Sequence, residues 1–315
     1  MNILRMALLT AAVVLVMAVP AAAAELTLSF NNLPTLNEAT EGLYEGWAIV
    51  DGMPVSTGVF NVNAAGQPVL PGGGGVIASF PVADSIGLSS SIKISLEPVG
   101  DTDPAPSGLI VLGGDVESET TALTAAVPGL DMLMTAGGSY ILATPSDNAT
   151  EPDNNDLGIW FLAMPGPVAG LTNLPDIGPN WKYEGWVVDV SGGGPVPYTT
   201  GTFDMAAGFD SDEAGCMGGG PPFPGQDFVA LHCGPILDLD TGDFVTVISI
   251  EPVPDNGPGP FMFKPLAGMI PTDALDNGGT LGNQVAGTFP TGTAGIFGTV
   301  PVAETSWSSL KASFR

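Results

Sequence analysis

Histidine, cysteine and positive charge are nearly missing from this chain of 315 residues. It has one His, two Cys and six Lys and Arg together, against 33 Asp and Glu. A single imidazole, His232, leaves little to titrate near neutral pH, and no G-x-S-x-G motif offers a serine on a sharp turn. Zinc needs four nitrogen or sulfur ligands or an acidic supplement, and there is no second histidine. A formal net charge of −27 excludes nucleic acid and anionic lipid as partners, since both require a basic footprint. The acidic residues stand singly at turns (Asp51, Asp84, Asp101, Asp103), so the negative surface is diffuse.

Long apolar runs are also missing, with one exception. Arg5 precedes an apolar stretch from Met6 to Val19, and Ala22-Ala23-Ala24 offers small residues before Glu25. This pattern predicts a secretory signal over residues 1–24. The rival reading is an uncleaved anchor, which alanine supports poorly. No cysteine follows the apolar core, so a lipoprotein anchor is not expected. The chain is therefore expected to be exported to the periplasm, cell envelope or medium, without stable membrane insertion. In an oxidising compartment Cys216 and Cys233, both late in the chain, are expected to form a disulfide. The alternative is a thiol or metal site using His232.

Glycine (44) and proline (30) are abundant beside 44% hydrophobic residues, which predicts short strands joined by tight turns rather than disorder. Alternation supports this reading. Leu26, Leu28 and Phe30 alternate with Thr27 and Ser29, and Ile92, Ile94 and Leu96 with Lys93 and Ser95. Tyr44–Val50 and Pro54–Val62 flank Asp51-Gly52, a hairpin turn signal. Further strands are expected at Leu109–Leu112, Ser139–Ala143, Gly158–Leu162 and Phe244–Ile250.

Four motifs occur twice in the same order. Asn32-Leu33-Pro34, Tyr44-Glu45-Gly46-Trp47, Thr57-Gly58-Val59-Phe60 and Glu97-Pro98-Val99 form the first set. Asn173-Leu174-Pro175, Tyr183-Glu184-Gly185-Trp186, Thr200-Gly201-Thr202-Phe203 and Glu251-Pro252-Val253 form the second. The expected fold is all-β: two tandem antiparallel β-sandwiches, Ig-like or Greek-key, arising from an internal duplication. The expected divisions are a first unit at 26–135, a polar connector at 136–156, a second unit at 157–290 and a tail at 291–315. That tail holds Trp307, Leu310, Lys311, Phe314 and Arg315.

The string Ile94 to Gly100 followed by Pro104-Ala105-Pro106-Ser107-Gly108 and Leu112-Gly113-Gly114, with Trp47, Asp51-Gly52, Pro54-Val55-Ser56, Gly58 and Phe60 upstream, resembles one family. It is similar to the extracytoplasmic C-terminal domain of anti-sigma-K factors. The second set keeps Trp186, Gly201, Phe203 and Glu251-Pro252, but has Gly257-Pro258-Gly259 and an insertion over Ala207–Pro235. The resemblance implies an extracytoplasmic sensing or protein-contact role. The family's helical sigma-binding domain and transmembrane helix have no counterpart in this sequence, which leaves any link to sigma-factor signalling to a partner.

Individual candidates read mainly as structure. Period-two alternation puts Tyr44 and Gly46 on one sheet face, Glu45 and Trp47 on the other. A buried Trp is the usual core pin of a sandwich. Glu97 and Glu251 are expected to tie down the proline-rich loops after them. Glu45 with Glu97, or Glu184 with Glu251, are the pairs available for glycosidase-like chemistry. No catalytic residue, metal ligand or cofactor is assigned, and the chain reads as a non-enzyme with an unidentified protein partner. Asp238 to Asp243 and Asp153 to Asp156 resemble calcium loops without completing the twelve-residue pattern. A calcium-dependent carbohydrate or matrix adhesin is the alternative function.

Overall fold

A computed structural model describes residues 24–146, 152–215, 218–229, 237–255 and 257–297. The expected signal segment up to residue 23, the end from residue 298, and Cys216, His232 and Cys233 lie outside the described residues. The disulfide expectation lies outside them too.

Among the described residues the chain is all-β, with antiparallel sheets and helices of a single turn or little more. The early strands are β1 (Ala24–Asn31), β2 (Leu43–Val50), β3 (Met53–Val62), β4 (Pro68–Val69), β5 (Phe80–Val82), β6 (Ser89–Glu97), β7 (Ile110–Asp115) and β8 (Thr120–Ala125). After α1 (Leu130–Leu133) come β9 (Gly138–Leu142), β10 (Ile159–Trp160), β11 (Leu162–Ala163), β12 (Val168–Ala169), β13 (Trp181–Asp189) and β14 (Val196–Phe203). Next are β15 (Gly225–Gln226), β16 (Phe244–Pro252) and β17 (Phe263–Ile270). The last elements are α2 (Ala274–Asn277), β18 (Gly279–Asn283), α3 (Val285–Thr288) and β19 (Thr291–Phe297). The expected hairpin between β2 and β3 turns at Asp51 (φ 51°) and Gly52 (φ 78°), both in the left-handed region that tight hairpins require.

Two large sheets result. The first runs β4-β3-β2-β6-β7-β8-β19-β1-β5, the second β14-β13-β16-β17-β18-β9-β10-β15. Apart from β4, the two orders correspond strand for strand. Registers correspond as well: Tyr44 faces Phe60 and Leu96, while Tyr183 faces Phe203 and Ile250.

Each sheet folds into a sandwich-like pair of layers because one strand serves both layers. Thr120 to Leu123 of β8 pair with β19, but Thr124 and Ala125 pair with β7. In the same way β18 splits its pairing between β9 and β17. Strands that switch layers make the corners of such packings. The inner faces then meet: Phe60 of β3 stacks on Phe30 of β1 at 5.6 Å and meets Phe80 of β5 edge-on at 5.7 Å.

Two segments do not follow the expected divisions. Gly138–Leu142, read as part of a connector, lies between β18 and β10. Thr291–Phe297, read as tail, lies between β8 and β1. Its glycines hid it, yet they are what closeness demands there. A Cβ on Gly292 would stand 2.8 Å from the Phe30 ring, and one on Gly295 would stand 2.7 Å from Thr27 Oγ1. An asparagine docks each of these strands: Asn32 Nδ2 donates to the Gly287 carbonyl at 3.1 Å, and Asn173 Nδ2 to the Thr135 carbonyl at 3.0 Å. Both asparagines sit at left-handed φ, 57° and 56°, which their short polar side chains tolerate.

The second sandwich is thus continuous in sequence from β9 to β18, whereas the first is closed only by β19. A fragment spanning 134–290 should therefore fold cooperatively, and one spanning 24–133 should not, because β1 and β8 lose their shared partner. Fusing 289–297 to the second fragment through a flexible linker should restore it. Circular dichroism and urea unfolding of the three fragments test this, and a cooperative transition in the unaided 24–133 fragment would contradict it.

Candidate functional site

The repeated motifs converge on the outer face of each sandwich. On β2, Glu45 and Trp47 point away from the aromatic core, as the period-two reading requires. Trp47 is nevertheless only 1% exposed and Trp186 3%. They are not core pins: Trp186 packs with Val188 and Val247 in a cluster separate from the main core. The loop that follows Glu97-Pro98 lies beside Trp47 through Pro106, Ser107 and Gly108.

A hydrogen-bond chain holds that loop down. Trp47 Nε1 donates to Ser95 Oγ at 2.8 Å, Ser95 Oγ donates to Glu97 Oε1, and the Glu97 carboxylate accepts from the Ser107 backbone N–H at 3.1 Å. The second copy runs from Trp186 Nε1 to Ser249 Oγ at 2.8 Å, on to Glu251 Oε1, which accepts from Phe261 N–H at 2.8 Å. Glu97 and Glu251 therefore do tie down the following loops, and both are buried.

The partner glutamates brace a bulge. Ser56 Oγ donates to Glu45 and accepts from Gly58 N–H at 3.2 Å; Thr199 Oγ1 donates to Glu184 and accepts from Gly201 N–H at 3.0 Å. Both bulges shift the register beside the tryptophan. Gly58 and Gly201 adopt φ of 116° and 95°, which a side chain would strain.

Burial raises the carboxyl groups here. Glu184 is pushed up to about 7 by desolvation, opposed by the Thr199 hydrogen bond and reinforced by the charges of Glu251, Asp255 and Asp212. Glu251 is likewise pushed up to about 7 by desolvation, against the Ser249 and Phe261 hydrogen bonds. Glu45 moves up for the same first reason.

Between sheet and loop lies a groove on each sandwich. In the first, Trp47, Ile49, Pro54, Lys93, Pro106 and Ile110 line about 300 Å³. In the second, Val188, Pro197, Val247, Pro260, Met262 and Lys264 line part of about 750 Å³, with Pro34, Leu36 and Glu41 of the first sandwich closing one side. Register matches the walls: Ile49 with Val188, Pro54 with Pro197, Ile110 with Lys264. The described residues include three cations. Lys182 pairs with Asp204 at 2.8 Å. Lys93 and Lys264 are half-buried in these grooves, and neither has a described carboxylate within ion-pair distance. Desolvation lowers Lys264, and the charge of Glu251 partly offsets this.

Neither glutamate pair is among the residues that line these two grooves. The calcium-like segments are turns: Asp238 accepts from Asp240 N–H at 3.1 Å, Thr241 Oγ1 accepts from Asp243 N–H at 3.3 Å, and Asn155 accepts from Thr144 N–H at 3.1 Å. Among the described residues no three His, Cys, Asp or Glu side chains converge as a metal group. The lysines were missed in the sequence because each groove draws its cation from a different strand, so no repeated motif contains them. Comparison with protein-family models, curated proteins and solved structures finds no match.

Replacing Ser95 or Ser249 by alanine leaves a buried tryptophan N–H without its partner and takes one of two donors from a buried carboxyl oxygen. Each substitution should cost about 1–3 kcal/mol in urea unfolding; a loss within experimental error would show that the chain of hydrogen bonds holds nothing. The raised carboxyls also fix the sign of the pH dependence. Groups that bind protons more tightly when folded stabilise fully below their unfolded pKa, near 4.5, and lose that contribution as pH rises through about 7. The melting temperature should thus be higher at pH 5 than at pH 8, the difference shrinking in Glu184→Gln and Glu251→Gln.

Proposed function

We propose that this chain is an exported, non-enzymatic contact module that holds apolar, acidic segments of a partner protein in its two tryptophan-side grooves. The observation that carries this reading is the placement of Lys93 and Lys264. On a chain with a net charge of −27, two of the three described cations stand in apolar grooves without a described ion-pair partner. A half-buried ammonium beside proline and valine walls costs desolvation energy, and an incoming carboxylate recovers it.

The same reading assigns the chain to two Ig-like or Greek-key units descended from one ancestral unit. Shared motif order, strand order and register all support descent by duplication. The likeness of the motif set to the anti-sigma-K extracytoplasmic domain supports a sensing or protein-contact role outside the cytoplasm, with sigma-factor signalling reached only through a partner. Hydrolysis is not part of the reading, since both glutamate pairs serve the fold.

Cross-linking from the lysine amines, followed by mass spectrometry on envelope fractions of the producing cell, tests the proposal. Lys93 and Lys264 should join one partner, and Lys93→Glu with Lys264→Glu should abolish the adducts while leaving the melting temperature within a few degrees. Turnover of an ester, peptide or glycoside that Glu45→Gln or Glu184→Gln removes would overturn it.

A further inference from the structure

The Glu-Pro-Val motif stands at the end of β6 and of β16, and only its glutamates serve the hydrogen-bond chains. Its valines stay in the open: Val99 is 54% exposed and Val253 42%. Local hydrogen bonds fix both turns, from Asp101 N–H to the Pro98 carbonyl at 3.1 Å and from Val253 N–H to the Asn180 carbonyl at 2.9 Å. The two copies meet. Pro98, Val99 and Leu109 of the first sandwich, with Val253 and Pro254 of the second, line one cleft of about 460 Å³. Sites for small ligands are of this kind: about 300–1,000 Å³, mainly apolar, and frequent where domains adjoin. The cleft borders both grooves, sharing Ser107 and Gly108 with the first and Glu41 with the second.

Charge at the cleft has one sign. Its ionisable lining residues are Glu41 and Asp255, one from each sandwich, and none of the three described cations lines it. Each carboxylate uses one oxygen for its own turn: Glu41 Oε2 accepts from Asn37 N–H at 2.6 Å, and Asp255 Oδ1 from Gly257 N–H at 3.0 Å. Both residues are exposed and so are open to a ligand. The charge of Asp255 also opposes ionisation of Glu184 and Glu251, so the field on this side is negative beyond the cleft itself. We propose that the cleft binds a small amphiphilic amine, its aliphatic body between the two proline–valine turns and its ammonium at Glu41 and Asp255. A carboxylate or phosphate on the same body would meet like charge, and an uncharged head would forgo the charge-assisted hydrogen bonds. The grooves with Lys93 and Lys264 attract the opposite charge, so this site is separate from the partner contact and does not rest on it.

Titration calorimetry on the full chain with octylamine, octanol and octanoate tests this, since the three share one aliphatic body. Octylamine should bind at one site per chain, about tenfold tighter than octanol, and octanoate should not bind. Glu41→Gln and Asp255→Asn should each weaken octylamine about three- to tenfold and leave octanol unchanged. Val99→Ser and Val253→Ser, both at exposed side chains, should weaken octylamine and octanol alike. Glu117→Gln, in the exposed turn between β7 and β8, should change neither, which separates the site from the diffuse negative surface. Nuclear Overhauser contacts from the octyl chain to the Val99 and Val253 methyls should locate the ligand in the wild type, whether or not a variant folds. The proposal is overturned if octanol or octanoate binds as tightly as octylamine, if Glu117→Gln weakens binding as much as Glu41→Gln, or if those contacts are missing. Dimers in sedimentation without amine, dissociated by Val99→Ser, would also overturn it by making the cleft a contact between copies.

Discussion

Everything on the outer face of each sandwich depends on one constraint: a glutamate at the end of a central strand is buried and must be satisfied. Glu97 and Glu251 are 3% and 2% exposed. An unpaired carboxyl at such depth costs several kcal/mol or stays protonated. A serine two residues earlier and a loop amide ten residues later meet the need, and the serine passes the demand on to a tryptophan. The loop is therefore held against the sheet face that carries the indole, and a groove lies between loop and sheet. One requirement of burial thus places the Trp, the Ser, the Pro-rich loop and the space between them.

The two grooves differ for reasons that are local. In the first, Lys93 stands opposite Trp47 on β6; at that register the second has Val247, and its lysine comes from β17 instead. The second groove is also larger because the Asn32 to Glu41 segment of the other sandwich forms one of its walls. The two grooves therefore have apolar walls with the lysine drawn from different strands. A partner that fits one need not fit the other equally.

The strands were legible because alternation is a direct image of a half-buried sheet, as in Ile92, Ile94 and Leu96. The opposite facing of Tyr44 and Trp47 was legible for the same reason. Burial of Trp47 on the outer face was not, because the loop beside it is distant in sequence and its clamp is a hydrogen bond to backbone. The strand Thr291–Phe297 escaped because its glycines fit the close approach of Phe30 and Thr27, contacts far away along the chain. In each case the missing information is a long-range neighbour.

The pairing of β1 with β19 joins Leu26 to Ile296 and Phe30 to Gly292 across nearly the whole chain. A polypeptide made or threaded from its N-terminus must hold β1 and β8 open until almost its last strand appears. Such extreme sequence separation slows closure, and an open strand edge invites pairing with other chains meanwhile. The second sandwich has no such delay and can stand first. It then serves as the platform that presents β19 to the waiting edge, where Asn32 holds the Gly287 carbonyl, so the part encoded later completes the part encoded first.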